Sequence, residues 1–131
     1  MTIDTYAYRQ ALYTDEAKSK QPYPLLGEGW GAVAPHDYEL IVLRNEYLEV
    51  ELLPELGGRI YQIRYLPTDQ TLLYNNKVIK PTRWGPADQG WWLAVGGAEF
   101  CLPVDEHGYV TAEPWSASVS ELDDGSATVT M

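Results

Sequence analysis

The sequence predicts an all-β fold, an antiparallel β-sandwich with an irregular N-terminal arm. Three observations predict it. Short runs that alternate apolar and polar residues recur from Tyr38 onward. Gly, Pro, Asn and Asp punctuate those runs at close intervals. Only residues 6–18 are rich in the Ala, Gln, Glu and Lys that favour helix.

Taken in order, residues 1–35 read as the arm. Residues 6–18 have room for one or two helical turns, which Pro22 and Pro24 end. Gly27, Gly29, Gly31 and Pro35 then mark loop. Trp30 in that loop needs a surface to lie on, and is expected to plug one end of the fold. Residues 36–131 read as the sandwich domain. Residues 38–44 are almost wholly apolar or β-prone. Residues 47–53 alternate, with Leu48, Val50 and Leu52 on one side. The short Asn45-Glu46 connection makes the two runs a hairpin. Pro54 stops the second strand, and Gly57-Gly58 turns the chain sharply.

A third strand follows over residues 59–66, with Tyr61, Ile63 and Tyr65 on one face. Pro67-Thr68-Asp69 turns again, and residues 71–74 form a short fourth strand. Residues 75–90 hold Pro81 and Pro86 and read mostly as loop. Residues 91–95 read as a buried strand that Gly96-Gly97 breaks. Residues 98–114 are loop. Trp115, Ala117 and Val119 alternate with serines, and Asp123-Asp124-Gly125 is a strong hairpin turn. Ala127, Val129 and Met131 alternate with threonines. The chain stops inside that strand, which predicts an oligomer that covers the open edge, or a shortened chain.

At 131 residues the chain has room for one domain. Its apolar fraction of 45% suffices for a core. The net charge of −10 argues against nucleic acid and against an anionic membrane as partner. The single cysteine, Cys101, excludes an internal disulfide and fits a reducing, cytoplasmic setting. The first 20 residues are charged throughout and do not read as a signal peptide, and no apolar run reaches spanning length. There are ten Tyr and five Trp against one Phe. Tyr and Trp join a flat apolar face to a polar tip, as a sugar does, although both also simply suit sheets.

Two segments carry candidate chemistry. In the first, 53–60, the glycine pair reads as a structural turn. Arg59 offers a fork of donors either to a ligand hydroxyl or to a nearby acid such as Glu55. The second, 96–109, gathers Glu99, Cys101, Asp105, Glu106, His107 and Tyr109 in a loop-rich stretch. Loops on a rigid scaffold concentrate binding residues, and histidine moves a proton near neutral pH. His107 is otherwise an ordinary surface histidine. Lys77, Lys80 and Arg83 with Trp84 either line a sugar site or balance charge on a solvated loop. Cys101, Asp105, Glu106 and His107 match no zinc spacing; calcium on the Asp105 and Glu106 carboxylates is the alternative to the expectation of no metal, and no cofactor is expected. Cys101, in an apolar run, reads as a small core residue.

The order LPELGGRI, then GGAEFCLPVDEHGY, then AEPW resembles the galactose mutarotase-like superfamily. The hexose-6-phosphate epimerases have a similar run: Gly96-Gly97, Phe100 to Pro103, His107-Gly108-Tyr109 and Pro114-Trp115. The phrase YNNKVIKPTRWGP…GWWLAVGGAEF is closer still to uncharacterised mutarotase-like domains, some fused to tetratricopeptide repeats. The resemblance implies part of a large antiparallel supersandwich whose concave face binds a sugar. In catalytic members a carboxylate base and a histidine acid interconvert aldose anomers. The first such histidine maps onto His107, with Arg59 at the rim or floor. Glu99, Trp84 and Trp92 complete the expected sugar contacts. The second histidine and the base have no counterpart here, since His36 precedes the first strand. The resulting expectation is a non-catalytic carbohydrate-binding domain. Its alternatives are an aldose 1-epimerase complete only in a longer protein or an oligomer, and a protein-interaction module without a sugar.

Overall fold

The computed structural model describes residues 1–6, 32–82, 92–102 and 110–131. Among them are ten strands: β1 (Thr2–Tyr6), β2 (Val33–Asp37), β3 (Ile41–Arg44), β4 (Leu48–Leu53), β5 (Arg59–Tyr65), β6 (Gln70–Thr71), β7 (Asn75–Thr82), β8 (Trp92–Gly96), β9 (Ser118–Glu121) and β10 (Ala127–Thr130). A single 3-10 turn, Pro54–Leu56, joins β4 to β5. The fold class is all-β, as the alternating runs predict.

Among the described residues one four-stranded sheet has the order β3-β4-β5-β6, another β2-β1-β7-β8, and β9 and β10 form a two-stranded sheet. The β3–β4 hairpin forms around Asn45. Its side-chain Oδ1 accepts from the backbone N–H of Tyr47 and of Leu48, each at 2.8 Å. The β4–β5 register slips at Glu51/Leu52, where Glu51 faces Gln62 but Leu52 faces Ile60. Tyr61 is the extra residue of this bulge, which bends the strand as it enters the site. The core lies between the two larger sheets. Ile3, Ile79, Leu93 and Val95 come from one, Leu53 and Tyr61 from the other, with Leu56 and Tyr38 from the connections.

Four expectations are corrected. The arm is not irregular at its described ends: β1 and β2 pair antiparallel, Ile3 opposite His36. The sheet they join is mixed, because β1 also runs parallel to β7, Asp4 opposite Val78. Residues 75–82 form the eight-residue strand β7, not loop. Pro81 lies opposite Leu93 of β8, one residue from the end of β7, and past the β1 pairing, which among the described residues reaches Ile79. The fourth strand is shorter than expected, only Gln70–Thr71. The proposed helical turns over 6–18 and the Trp30 plug lie outside the described residues. No helix among the described residues is long and apolar enough to cross a membrane.

Candidate functional site

The β4–β5 connection is the foundation of the site. Pro54 starts the 3-10 turn, and Gly57 and Gly58 follow with φ of 73° and 60°. Left-handed backbone of this kind suits glycine, and crowding requires it as well. A Cβ on Gly57 would lie 2.5 Å from the Thr111 carbonyl oxygen, and one on Gly58 2.6 Å from Trp115 Cε3. The turn and the 110–115 segment are therefore pressed together. Two backbone bonds fasten them: Gly57 N–H to the Glu113 carbonyl at 2.8 Å, and Trp115 N–H to the Pro54 carbonyl at 2.9 Å.

Arg59 follows the turn and is 2% exposed. Its guanidinium donates to three carbonyls from three stretches of chain. Nε reaches Leu56 at 2.8 Å, Nη1 reaches Gly96 at 3.0 Å, and Nη2 reaches Thr111 at 2.9 Å. The same Nη2 lies 3.8 Å from Glu99 Oε2. Ile60, the next residue, exchanges two bonds with Ala98, at 3.0 and 2.8 Å. Both ends of the 98–111 segment are thus fixed to residues 57–60, one through Ala98 and the other through Thr111.

The structure therefore brings Arg59 and Glu99 together. Arg59 is buried, directed toward the protein's own carbonyls, and lies near the Glu99 carboxylate. Glu55 Oε1 instead accepts from His36 Nε2 at 3.1 Å, in the tautomer that carries its proton on Nε2. His36 stands on β2, its ring 4.4 Å from that of Tyr38. His107 and Trp84 lie outside the described residues, as do Asp105, Glu106 and Arg83. Trp92 opens β8, directly opposite Thr82. Lys77 and Lys80 are on β7 and not on a loop. Cys101 is only half-buried, so it is less a core residue than its apolar neighbours suggest. Burial pushes the Tyr61 phenol above its ordinary value, and the nearby Glu51 carboxylate adds to the rise. Tyr61 is therefore a neutral hydroxyl at physiological pH.

Some partners were invisible in sequence. Thr111 is 52 residues from Arg59 and contributes a backbone carbonyl, a group every residue type carries. Phe100 rests on Trp115, ring centroids 6.1 Å apart and planes 26° from parallel. The only hint of that pairing was the common position of both residues in the quoted motifs. A groove of about 500 Å³ lies elsewhere, between the β3–β4 hairpin and the β9–β10 turn. It is lined by Leu43, Leu48 and Val50 with residues 124–127, and holds none of the expected site residues. Among the described residues no group of three His, Cys, Asp or Glu side chains comes together to hold a metal.

A TPR-domain containing protein from Parabacteroides distasonis ATCC 8503 has a similar fold, with a TM-score of 0.69. The likeness covers 95% of this chain at 22% identity, and the chain spans only 21% of that protein's length. Residues 16–131 match a family model described as a domain of unknown function (DUF5107), and the chain belongs to that family.

Proposed function

We propose that this domain binds a carbohydrate through its 98–111 segment, as a galactose mutarotase-like module that does not turn its ligand over. The observation that carries the reading is a convergence. Gly57-Gly58-Arg59, Gly96-Gly97 and Pro114-Trp115 are the pieces whose order resembles the sugar epimerases. They are far apart in sequence, yet they pack on one another around one buried guanidinium. Arg59 acts from below as the support of the segment. Glu99 supplies carboxylate acceptors for sugar hydroxyls, and His107, between the two anchored ends in sequence, supplies a titratable donor. The net charge of −10 favours a neutral sugar over a phosphorylated or acidic one.

The histidines present in this chain favour binding without turnover. The chain has two histidines, and His36, on β2, is engaged with Glu55 of the 3-10 turn. The test is a titration with common aldoses, followed by tryptophan fluorescence in the wild type and in His107→Ala. The wild type is expected to saturate, and His107→Ala to bind about tenfold more weakly through one lost hydrogen bond. A flat response to every aldose in the wild type sinks the sugar reading. Polarimetry of glucose and galactose should give the rate of buffer alone. A faster rate would replace this reading with that of an aldose 1-epimerase.

A further inference from the structure

We infer that Phe100, backed by Trp115, is a stacking platform for the C–H face of a neutral aldopyranose. The inference rests on the carbohydrate reading above and names the surface that would hold the ring.

Phe100 is the chain's one phenylalanine, and it is 43% exposed. Phenylalanine has no polar tip to reward such exposure, and ordinarily it is among the more buried residue types. Its ring is held in place from behind. Trp115 lies beneath it in a near-parallel, offset arrangement, within the range in which aromatic pairs attract. Trp115 is itself anchored. Its ring presses on Gly58, its Nε1–H donates to the Val110 carbonyl at 3.2 Å, and its backbone N–H is bonded to Pro54. The result is a flat, rigid, outward aromatic face. It adjoins Glu99, whose position Arg59 constrains.

Scale and charge select the occupant. A stable protein partner needs about 1,000 Å² of buried surface or more. The large apolar side chains exposed on this segment are Phe100 and Leu102 alone among the described residues. That area matches one sugar ring. The face of an aromatic ring is electron-rich, so it attracts the polarised C–H bonds of one pyranose face. The sugar's hydroxyls then remain at the rim for water or for a carboxylate.

Because Phe100 is unique, incorporation of 4-fluorophenylalanine gives one ¹⁹F resonance, assigned without mutagenesis. Titration with neutral aldoses should move that resonance saturably, with the dissociation constant that tryptophan fluorescence reports. Phe100→Ala should weaken binding by about three- to tenfold, and Phe100→Trp should retain it. Saturable fluorescence with a stationary ¹⁹F resonance, or unchanged affinity in Phe100→Ala, overturns the platform and leaves the sugar reading standing. No saturable response by either probe overturns the sugar reading and the platform with it.

Discussion

Taking a guanidinium out of water costs several kcal/mol unless its donors are met. Arg59 meets carbonyls of Leu56, Gly96 and Thr111 and lies near Glu99. Which of these contacts matters most follows from their geometry. The three carbonyl bonds are 2.8–3.0 Å long, whereas the Glu99 contact is 3.8 Å and its carboxylate is part-exposed. Arg59→Met leaves buried carbonyls without donors, at about 1–3 kcal/mol each. We expect it to lower unfolding stability by about 3 kcal/mol or more, measured by urea titration. Glu99→Gln should cost less than about 1 kcal/mol, because solvent screens that pair. Equal losses would mean that the ion pair, and not the carbonyl clamp, holds the segment. At this scale the sequence was half legible. A nearby acid as partner for Arg59 was among its readings, with Glu55 as the example, but the backbone acceptors were not, because no side chain announces them.

At the level of elements, the glycine turns separate two reasons for requiring glycine. Gly125, in the β9–β10 turn, has φ of 80°, and a Cβ there would meet nothing within 4 Å. Gly58 has φ of 60° and would drive its Cβ into the Trp115 ring. Gly125→Ala should therefore cost about 1 kcal/mol, from backbone strain alone. Gly58→Ala should cost clearly more and should also shift the Trp115 indole N–H resonance in an NMR spectrum. Similar costs with an unmoved indole would show that Trp115 yields freely and is no rigid support. Both turns were legible because glycine and aspartate declare a turn locally, as Asn45 declares the β3–β4 hairpin. The strand β7 was not. Asn75, Asn76 and Pro81 carry local signals against a strand. What makes them one is pairing with β8 on one side and with β1 on the other, and β1 is remote in sequence.

For the molecule as a whole, the response to alkali follows from Tyr61. Its folded-state pKa is raised, by burial first and by Glu51 second. The unfolded phenol ionises near the ordinary value of about 10. The stability this group contributes is therefore complete below that pH and is lost as pH rises through the higher folded-state value. Urea midpoints should fall more steeply above about pH 10 in the wild type than in Tyr61→Phe. Parallel profiles would show that Tyr61 ionises as easily folded as unfolded. The sandwich class was legible from alternation, whereas the membership of each sheet was not, since β1 belongs with strands far along the chain. That placement bears on biosynthesis. During translation β1 emerges first, and its parallel partner β7 follows some 74 residues later, Thr5 opposite Ile79. Until then one side of the nascent strand has no ladder to join. Contacts so distant in sequence slow the search for the native topology. Domain assembly therefore awaits the emergence of β7, and a ribosome paused before that point would display an open strand to its neighbours.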